Sequence, residues 1–306
     1  MICQNILEAV GNTPLVRLNR MPGPGSAEIL VKVEALNVGG SIKTRTALNM
    51  IEAAEREGLI DSDTIIVEPT SGNQGIGLAL VGAVKGYRTI IVMPDSVSEE
   101  RRKLVRHYGA EVKLIHDAGD IGKCIEECLN CALRMKAKNP KVFVPQQFEN
   151  PNNTMAHKKH TALEIIDQVG GPIHGYCSGI GTGGTLTGIG EVLKERYPDV
   201  EIWAVEPENA AILAGGTIGT HIQMGIGDGI IPVSILFHQF RKIVLKQRKV
   251  TFQDSRAIPR SLRSQASSSS DCSRKSWFMP SRFQISIQTL RAAKNPGTYL
   301  THISAL

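Results

Sequence analysis

No stretch of this chain holds an uninterrupted apolar run of the ~18 residues that a membrane-crossing helix needs. The first residues, Met1-Ile2-Cys3-Gln4-Asn5-Ile6, lack a basic segment followed by an apolar one, so a secretory leader is not expected and a cytoplasmic location is. Aromatic residues make up only 5% and are not interleaved with basic ones at the spacing that stacks on bases, so neither nucleic acid nor membrane is an expected partner. Cysteines number six (Cys3, Cys124, Cys128, Cys131, Cys177 and Cys272), too few for a disulfide framework in 306 residues. Cys124, Cys128 and Cys131 fall on one helix face. That pattern suits a metal or a buried apolar face; with no fourth ligand at C-x-x-C spacing, the buried face is expected and no metal.

Acidic residues are scarce only at one end. Residues 1–232 carry 22 Lys/Arg against 27 Asp/Glu; residues 233–306 carry 13 Lys/Arg against Asp254 and Asp271 alone. The net charge of +6 therefore comes from the last quarter. That quarter also holds 13 serines, with Ser267 to Ser270 in a row, and no strand–helix alternation, a composition expected to be disordered or loosely packed.

Before Pro232 the pattern is regular. Short strands are read at 28–33, 64–67, 89–93, 111–115, 142–144, 174–177 and 201–205. Helices are read at 47–57, 77–85, 98–108 with Ser98 as N-cap, 120–136, 154–169 and up to Tyr197. Unbroken apolar strands separated by helices of 10–15 residues indicate βαβ units and parallel sheets covered on both faces. The length and the alternation predict an α/β protein of two halves with a cleft between them.

Three strand-to-helix turns carry chemistry. Gly179-Ile180-Gly181-Thr182-Gly183-Gly184-Thr185 opens a helix with small residues and two hydroxyls. It can cup a phosphate at a helix N-terminus, or be a tight structural turn. It lacks the Lys of a P-loop and the ribose-binding acid of a dinucleotide fold. Asn37-Val38-Gly39-Gly40-Ser41-Ile42-Lys43 places one lysine before a helical pattern, either reactive or solvated. Thr70-Ser71-Gly72-Asn73-Gln74-Gly75 can hold a carboxylate, or cap a helix with Ser71 or Asn73.

Together these motifs resemble the cysteine synthase (O-acetylserine sulfhydrylase) and cystathionine β-synthase family of fold-type II pyridoxal-phosphate enzymes. The resemblance runs in order from Ile6 to Pro232. It includes Gly11-Asn12-Thr13-Pro14, Lys32-Val33-Glu34, Pro145-Gln146-Gln147-Phe148, Asn150-Pro151-Asn152-Asn153, His157, Glu206-Pro207 and Gly225-Ile226-Gly227.

The resemblance implies a two-domain α/β fold. A smaller movable domain would span 46–148, and a larger one 1–45 plus 149–306, with the cofactor in the cleft between them. Lys43 would hold pyridoxal 5'-phosphate as a Schiff base and move the proton at Cα. Asn73 would bind the cofactor's 3′ oxygen, and Gly181, Thr182, Gly183, Gly184 and Thr185 its phosphate. Thr70, Ser71, Asn73, Gln74 and Gln147 would grip the substrate carboxylate, and Gly225 would present backbone as the domains close. The reaction implied is β-replacement on O-acetylserine by sulfide. The alternatives are condensation with homocysteine, or a family member kept only for binding. A homodimer and a serine acetyltransferase partner follow from the same analogy.

The chain also departs from the family. Val38-Gly39 stands where many members have Pro-Ser or Pro-Thr, Gln74 stands for Thr, and Thr161-Ala162-Leu163-Glu164 stands for Thr-Thr-Gly-Pro-Glu. The family's Gly-Ile-Ser-Ser-Gly turn and the serine that meets the pyridine nitrogen are not found after Pro232. Residues from about 233 to 297 are read as a shifted reading frame, which translation of the other two frames tests.

Overall fold

The computed structural model describes residues 2–20, 22–219, 221, 223 and 225–227, and the strand backbones 241–245 and 298–303. Two sheets organise it. The smaller is wholly parallel, in the order β5 (Glu111–Ile115), β4 (Arg88–Pro94), β3 (Ile65–Pro69), β6 (Val142–Phe143). Along β3 and β4 successive side chains go to opposite faces, as a pleated strand requires. Ile66, Ile91 and Met93 pack among Ala47, Ile51 and Leu78 of α1 (Lys43–Arg56) and α2 (Asn73–Lys85). Val67, Ile90 and Val92 pack against Cys124, Cys128, Cys131 and Ala132 of α4 (Ile121–Lys138). The three thiols are thus a buried helix face, as the spacing suggests. Each fully buried Ile or Leu of this core stabilises by roughly 1.5–3 kcal/mol. A further helix, α3 (Glu99–His107), has Ser98 at its N-cap position, but the Ser98 side chain makes no capping bond to the helix.

The larger sheet runs β1 (Leu15–Arg17), β2 (Glu28–Val33), β10 (Thr298–Ile303), β7 (Gly175–Gly179), β8 (Glu201–Pro207), β9 (Arg241–Leu245); only β1 is antiparallel to its neighbour. Its Tyr176, Ile202 and Ala204 pack under α6 (Ala162–Val169) and α7 (Gly184–Arg196) through Ile165, Leu186, Ile189 and Leu193.

Two expectations are corrected. The single helix read over 154–169 is three pieces: α5 (Pro151–Ala156), a π-helical turn His157–Thr161, and α6. Asn150 caps α5 by accepting the Asn152 N–H at 2.9 Å, and Pro151 sits at N1, where its missing N–H costs nothing. Hydrophobic period alone does not register the extra residue of a π turn. The basic tail, expected to be disordered or loosely packed, contributes two strands. β9 extends β8, and β10 fills the slot between β2 and β7. A short strand surrounded by polar residues gives little periodic signal; here the open ladders of β2, β7 and β8 supply its partners. The shifted-frame reading otherwise falls on positions outside the described residues, as do Ser267 to Ser270.

Candidate active site

Two helices begin at one cleft, and no side chain caps either start. Gly72 is the N-cap of α2 and Gly183 that of α7. Ser71 and Asn73 are therefore not N-caps. The first N–H groups of a helix have no carbonyl partner within it, and together they act as about half a positive charge. Both starts follow the C-terminal ends of parallel strands, β3 and β7, the edge where such sheets place ligands. The cleft therefore has two seats for anionic groups, lined by Thr70, Ser71, Gly72, Asn73 and Gln74 on one side and Gly181, Thr182, Gly183 and Thr185 on the other.

Lys43 opens α1 between these seats. Its Nζ donates to Gln147 Oε1 at 3.4 Å and to Thr182 Oγ1 at 3.5 Å, long bonds that leave the amine easy to displace. The close approach of α2 to this turn depends on Gly77, where a Cβ would stand 2.9 Å from the Lys43 carbonyl oxygen.

Around the α2 seat, Gln147 Nε2 donates to Thr70 Oγ1 at 3.5 Å, and the Gly72 N–H reaches the same hydroxyl at 3.3 Å. Gln74 is 1% exposed; its Oε1 accepts from the Thr46 hydroxyl at 2.8 Å, while its Nε2 is buried without a partner. Gly225 and Ile226 line the opposite wall, anchored by the Gly227 N–H on the Ile180 carbonyl at 2.9 Å.

Some residues at the site carried no assigned role in the sequence. Asn153 Nδ2 donates to the Gln147 carbonyl at 2.7 Å and to Thr182 Oγ1 at 2.9 Å, tying the two seats together. Gly184, by contrast one of the residues expected at the phosphate, packs against Asn153: a Cβ there would meet Asn153 Oδ1 at 2.3 Å. His157, buried in the π turn, sits 3.2 Å from Thr185 Oγ1 through Nε2 and 3.0 Å from Thr161 Oγ1 through Nδ1. Arg101 reaches the cleft and donates to the Ser71 carbonyl at 3.2 Å. Glu68, 1% exposed at the end of β3, accepts the N–H groups of Gln146 and Gln147. Burial pushes its carboxyl up to about 7, against the opposing pull of those N–H groups and of Lys43. The only sequence signal for Glu68 is a lone acid ending an apolar strand.

The motifs Thr13, Lys32 and Glu34 lie beneath Lys43 rather than in the cleft. Lys32 Nζ donates to Thr13 O at 2.7 Å, Glu164 Oε2 at 2.8 Å and Gln168 Oε1 at 2.9 Å, which uses all three ammonium protons. Burial lowers the pKa of this ammonium, an effect that Glu164 opposes. Arg45 forks onto both Glu34 and Glu164. Burial raises the Glu164 carboxyl, but its bonds from Arg45 and Lys32 outweigh that and bring it down to about 2.

The family model described as "Pyridoxal-phosphate dependent enzyme" matches residues 6–265, past the last motif at Pro232. A cysteine synthase of a Flavobacterium species is 46% identical over 229 residues, 75% of this chain and 73% of that protein. Among solved structures, a hydrogen sulfide-producing enzyme from Fusobacterium nucleatum superposes with a TM-score of 0.81 at 35% identity, covering 100% of this chain and 97% of the other. An O-acetylserine dependent cystathionine beta-synthase from Helicobacter pylori gives 0.81 at 29% identity, covering 100% and 96%.

Proposed function

Since the chain belongs to the pyridoxal-phosphate dependent enzymes, in their fold-type II cysteine synthase group, we propose that it exchanges the acetate of O-acetylserine for sulfide and forms L-cysteine. The observation that carries this reading is Lys43 standing between two uncapped helix starts, within reach of both Gln147 and Thr182.

The residues fit pyridoxal phosphate. The α7 start offers N–H groups and the hydroxyls of Thr182 and Thr185 to a dianion, and Gly183, at φ 76°, makes the tight left-handed turn that opens the helix there. When bound, the cofactor supplies an aldehyde that condenses with amines and a ring that withdraws electrons from Cα. Lys43 is the amine that would hold it, and its Nζ, once free, would take the proton from Cα and return one. Gly181, Thr182, Gly183, Gly184 and Thr185 seat the phosphate, and Asn73 meets the ring oxygen. Thr70, Ser71, Asn73 and Gln147 seat the α-carboxylate at the α2 start. The buried Gln74 side chain, held on the Thr46 hydroxyl at 2.8 Å, packs behind that seat at a position where the family usually carries threonine. Gly225 and Ile226 form the wall over the reacting carbon.

Closure of a movable unit, 46–148, onto the rest would keep water from the reacting carbon. A homodimer, a cytoplasmic location and a serine acetyltransferase partner belong to the same proposal. No described helix is long and apolar enough to cross a membrane. The Fusobacterium neighbour is described as producing hydrogen sulfide. A β-replacement releases that product when hydrosulfide leaves Cβ of cysteine and water or another thiol, not sulfide, takes its place.

Absorbance of the purified, cofactor-loaded protein tests the reading. O-acetylserine is expected to shift the band of the lysine-bound cofactor, and sulfide to restore it with release of cysteine. A Lys43→Ala variant is expected to show neither change. Restoration by homocysteine and not by sulfide would assign the cystathionine β-synthase reaction instead. No shift with O-acetylserine in loaded protein would remove the proposal.

A further inference from the structure

The side chain of Gln147 reaches both Lys43 and Thr70, yet Gln147 belongs to no helix or strand; it lies in the segment between β6 and α5. Three bonds from elsewhere hold its backbone. Glu68 Oε2 accepts the Gln146 N–H at 2.9 Å and Glu68 Oε1 accepts the Gln147 N–H at 3.0 Å. Asn153 Nδ2 takes the Gln147 carbonyl at 2.7 Å. Gln146 itself stands at φ 56°, a left-handed conformation uncommon for a residue with a side chain, and its carbonyl accepts the Glu149 and Asn150 N–H groups at 3.0 and 2.9 Å. Glu68 is buried on β3, the strand that ends at Pro69, immediately before Thr70.

We propose that Glu68 is the positioning residue of the carboxylate seat: its two oxygens fix the Gln146–Gln147 backbone, and this aims the Gln147 amide beside Thr70 at the α-carboxylate of the substrate. The inference rests on the reading of the substrate as an α-amino acid, and it gives a role to a residue outside the proposed binding set. A strand end supplies both halves of one clamp. Thr70 presents its hydroxyl directly, and Glu68, two residues earlier, sets the opposing amide from behind. A carboxylate suits this task because it accepts two N–H groups at once, and charged acceptors make the stronger bonds. An amide in its place keeps one acceptor and turns a donor toward the second N–H. The Coulomb attraction between Glu68 and Lys43 is consistent with the two lying near one another across the seat.

The test compares Glu68→Gln, Gln147→Ala and the double variant as cofactor-loaded full chains. Assayed above pH 7, where the Glu68 carboxyl is ionised, Glu68→Gln is expected to raise KM for O-acetylserine about tenfold or more, the scale of a lost bond to a charged group, with a much smaller change in kcat. Pyridoxal-phosphate affinity, read by absorbance titration of cofactor-free protein, is expected to stay within about twofold, because the α7 seat is untouched. In the Gln147→Ala background the Glu68 substitution is expected to add almost nothing, as for residues acting through one another. Full additivity, or an unchanged KM in Glu68→Gln, would overturn the proposal.

A measurement on unaltered, cofactor-free protein needs no variant to fold. The Gln146 and Gln147 amides, though outside any helix or strand, are expected to exchange with solvent as slowly as those of β3. Fast exchange at both would also overturn the proposal. This arm reads the clamp whether or not O-acetylserine proves to be the donor, so a failure of the proposed reaction is told apart from a failure of the clamp.

Discussion

Arg45 and Glu164, 119 residues apart in sequence, meet through two hydrogen bonds of 2.6 and 2.8 Å, Nη1 to Oε1 and Nη2 to Oε2. The same guanidinium forks onto Glu34 at 2.9 Å through Nε and through Nη2. Arg45 is the third residue of α1, so this pairing pins the turn that begins with Lys43 onto the larger sheet and α6. Removing the cation leaves the fully buried Glu34 carboxylate without its guanidinium, while Glu164 keeps only Lys32. Arg45→Ala is expected to destabilise the protein by about 3–5 kcal/mol, measured by urea unfolding followed by circular dichroism. A loss under about 1 kcal/mol, the range of an exposed pair, would contradict the assigned burial.

One buried carboxyl, Glu68, and one half-buried, Glu164, predict a bent pH profile of stability. Glu164, held at about 2 against an ordinary 4.5, contributes stability that is present above 4.5 and lost as pH falls through about 2. Glu68, raised from 4.5 to about 7, works the other way. Between those values the folded chain holds a proton that the unfolded chain has released, so stability falls as pH rises from 4.5 to about 7. Thermal midpoints of cofactor-free protein are expected to be highest near pH 4.5–5 and to decline on both sides. Glu68→Gln is expected to flatten the upper limb alone, and an unchanged upper limb in that variant would contradict the assignment.

Gly184→Ala places a methyl 2.3 Å from Asn153 Oδ1. Either α7 or Asn153 must shift, and Asn153 also holds Thr182 and Gln147. Pyridoxal-phosphate affinity is expected to fall about tenfold or more, the scale of an overpacking strain, while far-ultraviolet circular dichroism stays unchanged. Equal affinity in an absorbance titration would show that the turn yields without cost.

Thiol chemistry separates the cysteines. Cys3 is exposed, whereas Cys124, Cys128, Cys131 and Cys177 are buried. Burial also pushes the Cys128 thiol up to about 12, which leaves little thiolate at neutral pH. Iodoacetamide on folded protein is expected to label Cys3 and to spare Cys124, Cys128, Cys131 and Cys177 until denaturant is added. Peptide mapping by mass spectrometry reads the result, and native labelling of Cys128 would contradict the packing of α4.

What the sequence by itself determined was local. Strand positions such as 28–33 and 65–69 follow from their own apolar runs, and the two glycine- and hydroxyl-rich turns announce helix starts that can take anions. The 70–75 and 181–185 turns could be read from adjacent residues as helix starts able to take anions, whereas Lys43 and Gln147 were singled out only by the family resemblance. Tertiary structure alone decided what joins distant segments. It placed the tail strand Thr298–Ile303 between β2 and β7, broke the 151–169 helix with a π turn, and set Glu68 behind Gln147 and Asn153 between the two seats. The reason is physical. Periodicity and propensity report what a residue does with its neighbours along the chain. A buried carboxylate, an amide bridge or an inserted strand takes its partner from wherever the fold leaves an unsatisfied group, and that place is fixed only when the sheets close.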